Sequence, residues 1–203
     1  MSPPAATVKT VPERQDDRFA RVLAHLLKTE GGYNDIPADR GGATNFGISL
    51  RFAQAEARID PVVRRALDMD MDGDVDGADI RLLTPEAAAA VYRRCFWDRY
   101  RCAQLRPRMD GALFDQAVNG GSVAAVRMLQ QAVNLVRGHP DLVVDGRIGP
   151  RTIAAANKTD PNAVVVQMRS VAAQRYRAIV RADPRQRIFL KGWLARANTL
   201  GNV

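Results

Sequence analysis

The sequence predicts a mainly α-helical protein with one small β-hairpin near its front. From Phe19 onward, apolar residues recur at i, i+3, i+4, i+7 and i+8, the period of a helix with one buried face. The second half keeps that period almost throughout, cut into pieces by Gly and Pro. Only Thr44 to Leu50 reads as extended chain, just after the turn-forming Pro37 and Gly41-Gly42.

Residues 1–18, rich in Pro, Ala and charge, are expected to form a flexible tail. Phe19, Val22, Leu23, Leu26 and Leu27 then make the stripe of a first helix, which Gly31-Gly32 ends. A short helix is predicted over 51–57, and 68–79 is an acidic loop. Thr84-Pro85 starts the next helix, with Thr as N-cap and Pro in the first turn; it runs through Tyr92 towards Trp97. Residues 112–119 form another, closed by Gly120-Gly121, and Ser122 is expected to cap its successor. The turn Val144 to Pro150 feeds a short helix over 152–156. Pro161 opens a long helix to about Val180, and Pro184 precedes a last one containing Phe189, Trp193 and Leu194. Two lobes are expected: 19–108, with the acidic insertion, and the helical 109–203.

The chain has 203 residues and a formal charge of +8, placed unevenly: residues 1–100 carry −2 and residues 101–203 carry +10. A basic half suits an anionic polymer or envelope surface, or is simply an Arg-rich solvated face. No recognition motif supports a nucleic-acid partner. No apolar run approaches the roughly 18–20 residues that span a bilayer, and the first residues lack the apolar core of a signal peptide. Cys95 and Cys102, seven residues apart, would sit about 10.5 Å apart on a continuous helix. That exceeds the roughly 7 Å reach of a disulfide, so free thiols are expected. Neither His25 nor His139 has metal-ligand spacing.

Glu30 falls within about 20° of Phe19 on the helical wheel, so a carboxyl group continues the apolar stripe at the last turn of the first helix. Desolvation and the negative end of the helix both favour its protonated form. A carboxylic acid that keeps its proton near neutral pH is what a glycosidase general acid requires. Asp39, in a polar Gly-rich turn, offers a second carboxyl group in a contrasting environment, and Thr44 can hold a water beside it. Taken singly, Glu30 also reads as a solvent-facing helix end, and Asp39 as a turn residue bonding its own backbone.

The run Glu30-Gly31-Gly32-Tyr33, followed by Asp39-Arg40-Gly41-Gly42-Ala43-Thr44-Asn45-Phe46-Gly47-Ile48, resembles the signature of glycoside hydrolase family 108. These are N-acetylmuramidases of the lysozyme superfamily. The resemblance continues through Tyr92, Trp97, Phe114-Asp115, Val118-Asn119, Leu129-Gln130 and Val144-Asp145-Gly146 to Thr152, and ends at Lys191-Gly192-Trp193-Leu194 and Arg196. The later motifs look like that family's helical peptidoglycan-binding region. Where the family often has Asp-Pro-Gly-Gly, Arg40 replaces the proline; where it often has Asn-Asp-Pro, this chain has Asp35-Ile36-Pro37.

The resemblance implies a lysozyme-like α+β fold, Glu30 as catalytic acid, Asp39 and Thr44 as assistants, and peptidoglycan as partner. It implies no cofactor for the chemistry. Asp115 and Asn119, on one helix face, are candidates for substrate contact together with Tyr33, Asn45 and Gln116. The expected reaction is hydrolysis of the β-1,4 bond between N-acetylmuramic acid and N-acetylglucosamine. The alternatives are a lytic transglycosylase and a non-catalytic wall-binding scaffold. The protein is expected to be a monomer. It is expected to reach the wall through a phage holin or a dedicated secretion route.

The acidic loop adds a metal expectation. Asp68, Asp70, Asp72, Gly73, Asp74, Asp76 and Asp79 fall at positions 1, 3, 5, 6, 7, 9 and 12 of an EF-hand-type loop, with the glycine where the sharp turn lies. Asp at twelve resembles the loops of dockerin-like modules. A structural calcium held by Asp68, Asp70, Asp72, Asp74 and Asp79 is expected; the other reading is a solvated acidic insertion.

Overall fold

The computed structural model describes residues 14–27, 33–34 and 42–202. It is mainly α, with ten α-helices and one two-stranded antiparallel sheet among the described residues. Helix α1 (Gln15–Leu27) begins inside the segment expected as a tail. The sequence gives no apolar reason for that earlier start; Arg18 supplies it, because its guanidinium is buried against Asp110 and the 103–105 backbone. Phe19, Val22, Leu23 and Leu26 are buried as the stripe requires. Phe19 meets Trp97 and Phe114 at ring-centroid distances of 5.5 and 6.1 Å. The tilted and edge-on geometries are those aromatic pairs prefer.

Strands β1 (Thr44–Asn45) and β2 (Ile48–Ser49) pair in the register Thr44 to Ser49 and Asn45 to Ile48. The two-residue loop, Phe46-Gly47, has positive φ at both positions (49° and 76°), as the primed hairpin turns demand. Phe46 is an unusual occupant, and the Tyr92 hydroxyl donates to its carbonyl at 2.9 Å. Asn34 bridges to the outer side of Thr44 with two backbone hydrogen bonds of 2.8 Å.

Helices α2 (Leu50–Ile59) and α3 (Pro61–Leu67) lead into the acidic loop, and α4 (Gly77–Leu82) leaves it. In α5 (Pro85–Tyr92) the Thr84 hydroxyl caps the start by accepting from the Ala87 amide. The next turn, Arg93–Asp98, is a π-helix that buries Cys95, Phe96 and Trp97 in succession. Arg101, at φ 52°, breaks the helix before Cys102; both cysteines are buried free thiols.

Helix α6 (Met109–Gly120) runs through the centre, with five consecutive buried residues from Asp110 to Phe114. Gly121, at φ 88°, turns the chain, and α7 (Ser122–Arg137) starts at Ser122 itself, which makes no capping bond. Then follow α8 (Pro150–Asn157), α9 (Pro161–Ala182), capped by Asp160, and α10 (Arg187–Thr199). One buried cluster extends from Phe19 to Leu200, so both halves share a core. Among the described residues no helix is long and apolar enough to cross a membrane.

Candidate functional site

Glu30 and Asp39 lie outside the described residues. The segments on either side of them in the sequence are described. Helix α1 ends at Leu27 with its apolar face docked on α6, and the chain returns at Tyr33-Asn34 to pair with the hairpin. Thr44 is held from both sides, by Asn34 and by Ser49, and its hydroxyl points back to the Gly42 carbonyl at 3.4 Å. Tyr33 is 40% exposed, and the Arg81 guanidinium lies 5.8 Å from its ring centroid, within cation–π range.

Asn45 is buried, and its amide donates to the Ile80 carbonyl at 3.0 Å. That carbonyl belongs to the last turn of α4, where helices leave acceptors unpaired. Asn45 therefore ties the hairpin to the exit helix of the acidic loop.

On α6, Asp115 receives three hydrogen bonds of 3.1–3.2 Å from the Arg196 guanidinium of α10. This is the fork geometry that makes arginine–carboxylate pairs strong and directional. The pair sits in the wall of a groove of about 470 Å³ lined also by His25, Trp193 and Thr199. Trp193 lies between two other rings, stacked on Phe189 at 5.7 Å and tilted against Tyr176 at 5.4 Å. Gln116 is wholly buried; its Oε1 accepts from the Tyr176 hydroxyl at 3.2 Å. Exposed Asn119 folds its amide back to the Asp115 carbonyl. The structure thus places Asp115 on a groove, while Asn45 and Gln116 sit in the packed interior. His25, Trp193 and Arg196 join Asp115 there. The Lys191–Arg196 motif hinted at Trp193 and Arg196 in sequence; nothing in the sequence singled out His25 for this groove.

The acidic loop is a helix–loop–helix. Met71 (φ 62°) and Gly73 (φ 95°) make its sharp turns, and the carboxylates of Asp70 and Asp72 accept from the amides two residues on. Asp79, almost wholly buried, accepts from the Met69 amide at 2.6 Å and the Asp76 amide at 2.8 Å, closing the loop on itself. Two groups of carboxylate oxygens lie within 4.8 Å of one another: Asp68, Asp70 and Asp79, and Asp74, Asp76 and Asp79. Oxygen Oδ1 of Asp68 is buried with no hydrogen-bond partner among the described residues. Desolvation and its acidic neighbours raise the Asp70 carboxyl above its usual range; for Asp74 the charge of Asp72 is the largest cause. An all-oxygen set converging around an orphaned buried acceptor fits a hard cation. Asp76, absent from the expected ligands, joins the set; Asp72 falls outside both groups.

The second half is organised around Gln130. Its amide nitrogen reaches Asp145 Oδ1 (2.8 Å), the Arg147 carbonyl (3.2 Å) and Thr152 Oγ1 (3.4 Å), and its oxygen accepts from the Gly146 amide (2.9 Å). Gly146 has φ 81°, and a Cβ there would lie 2.7 Å from Val123 Cγ1. The motif from Asp145 to Thr152 is thus a clasp that fixes α8 on α7.

Residues 23–121 match the family model described as Glycosyl hydrolase 108, and residues 124–198 match the one described as Predicted Peptidoglycan domain. Among solved structures, that of Brucella abortus SagA is similar, at 28% identity and a TM-score of 0.67, covering 92% of this chain and 93% of that one. No curated protein matches the chain. The boundary between the two matched regions falls at the Gly121 turn between α6 and α7. A glycosyl hydrolase 108 domain over residues 23–121 is thus followed by a peptidoglycan-binding domain over residues 124–198.

Proposed function

We propose that the protein is an N-acetylmuramidase that hydrolyses the β-1,4 bond between N-acetylmuramic acid and N-acetylglucosamine. The observation that carries this reading is the family match over 23–121, which spans Glu30, Asp39 and Thr44 together. Glu30 protonates the departing glycosidic oxygen. Asp39 and Thr44 hold the water that attacks the sugar carbon, and direct attack inverts the anomeric centre. The double pairing of Thr44 supports that role, because a residue held on both sides presents its hydroxyl in one place. The glycan runs along the groove of Asp115, Trp193 and Arg196, which His25 connects to the end of α1.

The test is turbidity loss of purified sacculi with mass spectrometry of the products. Glu30→Gln is expected to abolish lysis while leaving wall binding. Unchanged lysis would remove Glu30 from its role, and 1,6-anhydro products would replace hydrolysis by transglycosylation.

A second reading concerns the loop. We propose that Asp68, Asp70, Asp74, Asp76 and Asp79 hold a structural calcium, supported by the orphaned Asp68 oxygen and the helix–loop–helix geometry. The ion takes no part in the chemistry.

A further inference from the structure

A second groove, of about 620 Å³, lies between α7 and α9. That is within the roughly 300–1,000 Å³ of small-ligand sites. Its apolar surface comes from Val123, Ala124, Met128, Val171 and Ala178, and two amides, Gln131 and Gln174, stand beside it. Its charge comes from Arg127, Arg175 and Arg181. Neither helix contains a single Asp or Glu. Among the described residues none of these three guanidiniums has a hydrogen bond or an ion pair. Other arginines of the second half divide: Arg137 pairs with Asp141, Arg169 with the Leu200 carbonyl and Arg196 with Asp115, while Arg147, Arg177 and Arg187 also make no side-chain hydrogen bond or ion pair among the described residues. What sets Arg127, Arg175 and Arg181 apart is that they line one trough.

We infer that this groove binds the stem peptide of peptidoglycan through its carboxylates, while the glycan is read elsewhere. This rests on peptidoglycan being the substrate. Three unpaired guanidiniums around an apolar trough complement a short peptide with several free carboxylates and alanyl methyl groups. The lining has no aromatic ring. A sugar strand or a nucleic-acid base would be recognised by stacking, and nothing here supplies it. The clasp at Gly146 packs behind this wall: its missing Cβ would also sit 3.3 Å from Arg127 Cγ, so the loop fixes where Arg127 leaves the helix.

The experiment titrates a free diaminopimelate-containing stem tetrapeptide into the full chain by calorimetry, wild type against R127Q/R175Q/R181Q. In parallel, both proteins are sedimented with intact sacculi and with amidase-stripped, peptide-free sacculi. The triple variant is expected to bind the tetrapeptide at least about tenfold more weakly, a loss of about 1.4 kcal/mol. Wild type is expected to sediment less with stripped walls. Amide NMR shifts on tetrapeptide addition should concentrate at Gln131 and Gln174, a readout that stands even if the triple variant folds poorly. Equal tetrapeptide binding by the two proteins, shifts confined to other helices, or preference for peptide-free glycan, anionic vesicles or DNA would overturn the inference. The titration needs no turnover, so loss of the muramidase reading would show in lysis and leave this result standing.

Discussion

Arg18 Nε and Asp110 Oδ2 lie 3.3 Å apart, an ionic contact between two side chains only 9% and 2% exposed. The other guanidinium nitrogens donate to the carbonyls of Ala103 and Leu105 at 3.0–3.3 Å, so one side chain joins α1 to the entry of α6. Removing one partner of such a buried pair leaves the other uncompensated. Arg18→Met is expected to cost about 3–5 kcal/mol in urea unfolding, and R18M/D110L to recover most of it. A loss under about 1 kcal/mol would show the pair to be better solvated than its burial indicates.

The same pair gives a pH dependence. Burial holds the Asp110 carboxyl above its ordinary value of 3.8, outweighing the Gly111 amide and Arg18, which lower it. The folded state therefore keeps this proton where the unfolded chain has released it. The group's contribution to stability is greatest below the ordinary value and declines as pH rises through the raised one. Unfolding curves across the acid range should show that downward slope in the wild type and a flatter one in Asp110→Asn.

Burial pushes the Cys95 thiol up to about 12, helped by the neighbouring Glu56, and raises Cys102 well above its usual range. Since the thiolate is the reactive form, neither cysteine should react with a disulfide reagent at about pH 8 while the protein is folded. Both should react in guanidinium. Rapid labelling of the native protein would contradict the depth of the 93–102 segment.

Gln130→Leu keeps the side chain's bulk and removes its four hydrogen bonds. A cost of about 2–4 kcal/mol is expected, with the freed Asp145–Gly146 turn as its main source. Hydrogen exchange should reveal the change at 145–152 first. A uniform change over the whole chain would mean that the clasp does not open separately.

Calcium should raise the melting temperature, by an amount that grows with concentration as ligand linkage requires. Asp79→Asn should abolish that rise and also lower stability without calcium, because Asp79 closes the loop through the Met69 and Asp76 amides. An unchanged melting point up to about millimolar calcium, where weak extracellular sites already fill, would sink the assignment.

The elements that the sequence announced are those whose signals are local. The α1 stripe and the Thr84-Pro85 start involve residues within a few positions of one another, where period and cap chemistry act. Helices α3 and α4, of 7 and 6 residues, are too short to show a period, and the acidic composition between them masked both. The Arg18–Asp110 and Asn45–Ile80 contacts join distant positions, and nothing in either segment names its partner. Gln130 stood out within a motif, yet only the coordinates reveal that one amide gathers Asp145, Gly146 and Arg147 of the loop and Thr152 of α8.

Asn45 neighbours Thr44, and Ile80 neighbours Asp79; the hydrogen bond between Asn45 and Ile80 therefore makes a mechanical joint between two parts of different chemistry. Lifting the β-turn strips a carbonyl of its donor, and slackening the carboxylate ring shifts the anchor on which the turn rests. Whatever binding free energy this bond transmits from the loop to the hairpin, it transmits equally in the reverse direction.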